Sequence, residues 1–542
     1  MSVQTSELPP SKTESVDEAG LWVEAAQLSE LNAKGRMLIK RGGKQIALFA
    51  TPQGPRAIAN RCPHEGYPLS EGTFTEGGAV CTLTCNWHNW KFDLETGEEA
   101  SGGDPVRTYP IRVVKGTLQL DLTDPPAEVR IAKALASMKA SFGRYDYDRI
   151  ARDIARIHQA GGDPRDAVRA AIGWTHDKFE WGMTHALAAA PDWLAVYERA
   201  ENDSDRIAAV TEILGHLCWD SLRMPTYPFA DGTLPWAEEA FVAAVEAEDE
   251  VTATRLLRDG LRIGGWDKID RGLARAALAH YQDFGHSAIY VEKSREAVQR
   301  LGAAVEEPYA LACLRALVTA RREDLIPEFK AYRPARKGWT GTGSARAKPA
   351  DFCRVSVTKA LDRVLAASGN ISALYDAMLE AAAWQLVRAD PVYATRSDQP
   401  ISQNVNRLDF SHAITFANAG RRIAERHPEL WPDVLLQIAC FLGRSGGFVD
   451  PARDTSPWQV ADPIRFLETN ARDIVDHGNT EYIVSAHLVK MTYAVREEVL
   501  LRPEAPWVPA LVAALNRFLN EPFTRKLTRR TAYQALKTVE GE

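Results

Sequence analysis

Cys62-Pro63-His64, followed after twenty residues by Cys85-Asn86-Trp87-His88, decides how this chain is read. The stretch puts two Cys–His pairs on two loops. Soft thiolates suit iron–sulfur sites, and neutral imidazoles lower the charge of a cluster and so raise its reduction potential. The pattern therefore fits a two-iron cluster with two thiolates on one iron and two imidazoles on the other. A mononuclear Cys2His2 zinc ion is the competing reading.

Around this stretch, from about Leu21 to Leu122, the chain runs in short alternating segments broken by Gly and Pro. Met37–Lys40 and Gln45–Phe49 flank Arg41-Gly42-Gly43, a tight-turn signal for a hairpin. Ile111–Val114 and Leu118–Leu122 predict a second hairpin around Lys115-Gly116, with Leu118, Leu120 and Leu122 alternating with polar residues. Beyond the proline-marked linker Asp121–Pro126 the hydrophobic period becomes helical. Val434, Leu435, Ile438, Ala439 and Leu442 make one apolar face, and Val508, Leu511, Val512, Leu515 and Leu519 another. No β-hairpin or βαβ unit is evident there. The expected fold is multidomain: a disordered tail at 1–20, an all-β domain of antiparallel sheets at 21–125, and an all-α domain at 126–542 with a flexible insert at about 332–350.

The 542 residues, 45% hydrophobic and 25% charged, are the balance of a globular protein large enough for two to four domains. A net charge of −7 gives no electrostatic footprint for nucleic acid or an anionic membrane. Seven cysteines are too few for a disulfide scaffold and fit a reducing compartment. The polar N-terminal segment has no apolar core of a signal peptide, and no apolar run reaches about 18 residues, so a cytoplasmic protein is expected.

The segments CPHEGYPLSEG, CNWHNWKFDLETGEE and GGDPVRTYPIRVVKGTLQLDL resemble the two cluster loops, the covering Gly-Pro loop and the closing hairpin of the Rieske ferredoxin family. The resemblance covers residues 21–122. It implies a [2Fe–2S] cluster with Cys62 and Cys85 on one iron and His64 and His88 on the other, near solvent. Three departures stand out. The longer gap implies an extended turn at Thr73–Cys81. Asn89 stands where a glycine usually follows the second histidine, and Asn tolerates left-handed backbone. Tyr67 and Trp87 occupy the places of the extra cysteines of high-potential relatives, which points to a low-potential centre. Cys81 is expected to be a spare thiol.

The helical region lacks the Asp/Asn-x2-His-x3/4-His iron motif of the ring-hydroxylating oxygenases, but it holds histidines in suggestive settings. Asp283-Phe284-Gly285-His286 and Asp409-Phe410-Ser411-His412 share one pattern 126 residues apart, as an internal duplication would. On a helix, Asp at i and His at i+3 share a face. Histidines and carboxylates converging from facing helices build non-haem iron sites. The expected second centre is thus iron near Asp283, His286, Asp409 and His412, with His216 or His487 as further ligands. His185 and the pair His176 and Glu180 are other inward candidates. DFGHSAIY and LDFSHAITFANAGRRIAERHPELW also resemble the questin-oxidase-like family, which implies oxidation of an aromatic or polycyclic substrate.

No Gly-x-Gly-x-x-Gly follows a strand, so electrons are expected from a separate NAD(P)H-dependent reductase or a ferredoxin. Arg333, Arg336, Lys337, Arg346 and Lys348 could meet an acidic redox partner. The expected function is a Rieske oxidoreductase that passes single electrons to oxygen-dependent chemistry on a small organic molecule. The alternative is a non-enzymatic electron carrier with a helical docking or ligand-binding scaffold.

Overall fold

The computed structural model of the chain describes residues 15–17, 20–75, 81–522, 527–540 and 542. Most of the stretch read as a tail lies outside these residues, but Ser15–Asp17 pair with Gly20–Trp22. Two compact units divide between Lys133 and Ala134. The boundary expected at 125 falls earlier because the proline linker leads at once into a helix, Ala127–Phe142, which crosses the division.

The first unit is built of three antiparallel sheets. Strands β1 (Ser15–Asp17), β2 (Gly20–Gln27), β3 (Arg36–Arg41), β4 (Lys44–Thr51), β5 (Gly54–Ala59), β6 (Thr73–Thr75), β7 (Thr82–Thr84), β8 (Lys91–Asp93), β9 (Ile111–Val114) and β10 (Thr117–Asp121) follow in chain order. The sheets run β1-β2-β10-β9, β3-β4-β5 and β6-β7-β8. Gly42 and Gly43, at φ +53° and +73°, turn β3 into β4 and leave Arg41 opposite Lys44. A two-residue turn of this hand needs positive φ twice, which is why both positions are glycine. Leu118, Leu120 and Leu122 are buried with Leu31, Ile39, Ile46 and Leu48 between the first two sheets. A second core, with Phe49, Ile58, Leu69, Leu83 and Phe92, takes in Cys62 and Cys85 and sits under the third sheet. The extended turn expected at Thr73–Cys81 is the β6–β7 hairpin, whose tip at 76–80 lies outside the described residues.

The second unit has helices and no β-strand among its described residues. At its centre stand α1 (His185–Arg199), α2 (His286–Leu301), α3 (Arg407–Arg426) and α4 (Tyr482–Leu501). Each packs on the next, and α4 packs on α1, which closes a ring. Outer helices cover it with the faces the sequence predicts: Val434, Leu435, Ile438, Ala439 and Leu442 are all buried within Trp431–Ser445. The segment read as a flexible insert is tied down. It opens with the helix Tyr332–Lys337, whose Tyr332 is fully buried. Further along, the Gly343 N–H donates to Ser368 Oγ at 3.0 Å, and Gly369 N–H donates to the Gly343 carbonyl at 2.9 Å. Within the basic cluster, Arg333 and Arg336 pair with Asp324 and Asp433 of this same unit. Among the described residues no helix is long and apolar enough to cross a membrane.

Candidate metal centres

The two Cys–His loops have one backbone design. In the first, the Cys62 N–H donates to the Tyr67 carbonyl and the Gly66 N–H to the Cys62 carbonyl, both at 2.8 Å. In the second, the Cys85 N–H donates to the Trp90 carbonyl at 2.7 Å and the Asn89 N–H to the Cys85 carbonyl at 2.9 Å. The fourth residue after each cysteine must be left-handed to close such a loop: Gly66 has φ +80° and Asn89 +59°. Asn therefore does at the second loop what glycine does at the first.

This design places both thiols in the interior, free of any disulfide, and presents both imidazoles outward. The His64 and His88 rings meet edge to face, 4.6 Å between centroids, and Trp90 stacks on His64 at 4.7 Å. Burial pushes the Cys62 thiol up, against the pull of the His64 backbone N–H. His64 Nδ1 is buried with no hydrogen-bond partner, an orphan that a coordinated iron satisfies. Trp87 is 56% exposed beside His88, so the imidazole side of the loops faces solvent. Cys81 stands apart, its thiol against Gln53 Oε1 at 2.7 Å. The donor set fits a [2Fe–2S] cluster.

In the second unit four histidines converge, one from each helix of the ring. His286 Nε2 lies 3.2 Å from His185 Nε2 and 3.1 Å from His412 Nε2, and His412 Nε2 lies 3.4 Å from His487 Nε2. None of the contacts among the last three is a hydrogen bond. His286, His412 and His487 each direct Nδ1 at a backbone carbonyl, of Asp283, Leu408 and Ile483, at 2.6 Å. A carbonyl only accepts, so Nδ1 carries the proton and Nε2 of the neutral ring is a bare lone pair. Burial drives the pKa values of His185, His412 and His487 well below the ordinary range and lowers that of His286, so the rings stay neutral. Lone pairs facing one another at such distances repel unless a cation lies between them. Two nitrogens each about 2.1 Å from one ion sit ~3.0–3.4 Å apart at angles of about 90–110°, which is the observed spacing.

The register of the ring explains the convergence. His185 and His286 are 101 residues apart, and so are Asp192 and Lys293, which pair at 2.8 Å. His286 and His412 are 126 apart, as are Glu296 and Arg422, also paired. His412 and His487 are 75 apart, as are Arg422 and Glu497, paired at 3.1 Å. Equal offsets on every pair mean that the four helices run the same way in step, with a histidine layer followed two to three turns on by a layer of ion pairs, buried at Asp192–Lys293 and partly exposed at Arg422–Glu497.

His286 is held by an unusual turn. Asp283, Phe284 and Gly285 are consecutively left-handed, at φ +45°, +51° and +77°. The Glu323 carboxylate accepts the Phe284 N–H at 3.0 Å, and the Phe284 ring packs on His412 with centroids 5.1 Å apart. Burial pushes the Glu323 carboxyl up to about 7.

Three residues expected in this centre are elsewhere. Asp283 contributes its carbonyl to His286 Nδ1, because the left-handed turn ends before the helix begins at His286. Asp409 shares α3 with His412, but its carboxylate closes a capping box on the Asn406 N–H at 2.7 Å. The two Asp-Phe-x-His segments thus differ in local structure. His216 stacks on Tyr482, centroids 5.0 Å apart, with Nε2 3.5 Å from Asp220. His176 lies at the C-terminal cap of its own helix against the Gly173 carbonyl, and Glu180 is exposed. His185, which carries no aspartate in its sequence context, takes the fourth place.

The Rieske [2Fe–2S] domain model matches residues 21–110. A 4beta-methylsterol monooxygenase of Methylococcus capsulatus is 39% identical over 95 residues, 15% of this chain and 25% of its own. The anthranilate 1,2-dioxygenase ferredoxin subunit of Burkholderia cepacia is 35% identical over 83 residues, 15% of this chain and 73% of its own. Among solved structures, the ferredoxin of carbazole 1,9a-dioxygenase from Nocardioides aromaticivorans aligns with 19% of this chain and 98% of its own, at 23% identity and a TM-score of 0.18. The chain spans about a quarter of the length of the methylsterol monooxygenase and of a 3-chlorobenzoate-3,4-dioxygenase oxygenase subunit, and these likenesses fall on the β unit. Two matching cluster loops, an orphaned His64 ring nitrogen and a ferredoxin relative covered over most of its length converge on one conclusion: through its β domain this chain belongs to the Rieske [2Fe–2S] family.

Proposed function

We propose that the chain is an oxygen-dependent oxidoreductase in which the [2Fe–2S] cluster takes single electrons from a separate NAD(P)H-dependent reductase or ferredoxin and supplies them to a non-haem iron held by His185, His286, His412 and His487. The observation that carries this reading is the convergence of four Nε2 atoms, three of them with the proton fixed on Nδ1 by a carbonyl. Neutral imidazole suits iron, copper, nickel and zinc. A one-electron cluster on the same chain favours a redox-active ion over zinc, which has no redox chemistry. Such an iron supplies reduction of dioxygen. The chain's own residues fix the imidazole tautomers through Asp283, Leu408 and Ile483 and bury the ligand atoms. The substrate class is an aromatic or polycyclic small molecule, in keeping with the sterol named for one relative and with the questin-oxidase-like segments around His286 and His412.

Anaerobic purification and iron counting test this directly. The expected result is one iron beyond the two of the cluster, lost in the His412→Gln, His487→Gln double variant while the cluster spectrum stays. Iron wholly accounted for by the cluster would reject the second centre and leave an electron carrier with a helical scaffold.

A further inference from the structure

Between the histidine layer and the ion-pair layer lies a lysine that nothing satisfies. Lys490 is three residues beyond His487 on α4, 1% exposed, and its Nζ has no hydrogen-bond partner. It acts electrostatically on all four clustered histidines. Two further orphans lie on the side away from the histidines. Asp192 Oδ2 is buried without a partner two turns along α1 from His185, and the Tyr493 hydroxyl is buried without a partner one turn beyond Lys490. Asp192 and Tyr493 both line a cleft of about 480 Å³ with Lys293, Glu296, Arg422 and Arg496. Unpartnered polar atoms thus lie at the cleft and, at Lys490, one turn from His487, and Asp192 acts electrostatically on Lys490. A buried polar group left unpaired costs about 1–3 kcal/mol, so three in sequence call for a function.

We infer that Lys490 delivers protons to dioxygen as it is reduced at the four-histidine centre, and that Asp192 and Tyr493 resupply it from the cleft. The inference rests on the proposed metal centre. Oxidation of a substrate RH follows RH + O2 + 2 e− + 2 H+ → ROH + H2O: one oxygen atom enters the substrate, the other leaves as water, and the cluster supplies the electrons singly. The neutral histidines and the backbone carbonyls that hold them have no proton to give. Burial lowers Lys490 to about 7 and raises Asp192 to about 6, values close enough for a proton to pass either way near neutrality. The charged groups facing them are Lys293 and Glu296 on α2 and Arg422 on α3, which pair with Asp192 or with one another.

The test uses the full chain loaded with ferrous iron and with its cluster reduced, so that cluster and iron give one electron each, and dioxygen as the only oxidant: O2 + 2 e− + 2 H+ → H2O2. Reoxidation is followed by stopped flow in H2O and D2O for wild type, Lys490→Met, Lys490→Arg and Asp192→Asn. Lys490→Met should slow reoxidation about a hundredfold, the usual weight of a general acid. Lys490→Arg should be equally slow, because arginine keeps the charge but does not release its proton. Asp192→Asn should be slower than wild type and should deepen the D2O effect. A second readout needs no turnover. Zinc binding, measured by calorimetry at pH 7 in buffers of different ionisation enthalpy, should release up to about half a proton more from wild type than from Lys490→Met, the share that Lys490 holds at that pH. Equal rates, rescue by arginine or equal proton release would overturn the relay while zinc binding upheld the centre. No zinc or iron binding by wild type would overturn the centre itself.

Discussion

If four imidazoles are arranged to hold an ion, removing one should cost far more with the ion present than without it. A four-ligand structural zinc site contributes about 10–16 kcal/mol, so one ligand carries ~3–4 kcal/mol, a factor of about 10²–10³ in affinity. At free metal a thousandfold above the dissociation constant, binding adds about 4 kcal/mol to the stability of the wild-type fold; a variant weakened to this degree keeps only ~0.4–1.4 kcal/mol. Without metal, His412→Gln loses one hydrogen bond to the Leu408 carbonyl, worth about 1 kcal/mol, and also removes a lone pair facing those of His286 and His487. The two effects oppose each other, so the metal-free variant should unfold within about 1 kcal/mol of wild type. The assay is anaerobic urea unfolding of the full chain with ferrous ion and with chelator, for wild type, His412→Gln and Asp409→Asn. Asp409→Asn should retain the metal response, since its carboxylate serves the Asn406 N–H. A wild-type midpoint that ignores metal, or an Asp409→Asn loss as large as that of His412→Gln, would refute the assignment of ligands.

The metal-free protein should also respond to acid. The four clustered histidines have folded pKa values below the ordinary 6.5, so below about pH 6.5 the unfolded chain binds more protons and stability falls, by up to ~1.4 kcal/mol per pH unit for each histidine. Unfolding with chelator at pH 7, 6 and 5 should show this fall, and His412→Gln should lessen its slope by one histidine's share; equal slopes would contradict the buried, neutral state. In the β domain, Asn89→Gly should hold or raise the melting temperature, whereas Asn89→Val should cost about 1–2 kcal/mol for its left-handed backbone. Arg517, buried with donors to the carbonyls of Leu386, Val387 and Ala389, anchors the end of one outer helix. Arg517 also pairs with Glu521 at 2.9 Å, and Arg517→Ala should cost about 3–5 kcal/mol by chemical denaturation, while Arg453→Ala, a half-buried second partner of Glu521, should cost less than about 1 kcal/mol.

The β domain was legible because its chemistry is local. Each Cys–His pair sits inside one loop whose hydrogen bonds close within six residues, so the spacing singles out the four side chains, the resemblance of the flanking segments supplies the kind of cluster, and Asn89 could be placed as a left-handed residue from its type. The helical centre is assembled from residues 75 to 126 apart, and no local phrase marks them all. The repeated Asp-Phe-x-His segments single out His286 and His412, which the structure brings together, but not the places of the aspartates, because one segment is a left-handed turn and the other the first turns of a helix, where Asp409 caps. His185 begins its helix behind the cap of Thr184 and offers only a generic context, Met183-Thr184-His185-Ala186.

A subtler signal was present in the sequence. Asp192 follows Ala188-Ala189-Ala190-Pro191, and Lys490 interrupts Leu488-Val489-Lys490-Met491, so each is a lone charge inside an apolar run. Charges so placed must be paired, neutral or in use. Asp192 is seven residues beyond His185, and Lys293 seven beyond His286, so the buried pair repeats the histidine pair two turns along each helix. The same step-for-step match recurs ten residues beyond His286, His412 and His487, at Glu296, Arg422 and Glu497. Ion pairs of this kind add little net stability in a buried setting, but they penalise any slip of one helix against its neighbour by leaving a charge unpaired. A slip of one residue along a helix moves a side chain about 1.5 Å, enough to spoil metal coordination that tolerates a few tenths of an ångström. The charged layer thus acts as the register lock of the ring, and the exactness it imposes is what lets four helices scattered over three hundred residues bring their imidazole nitrogens into contact.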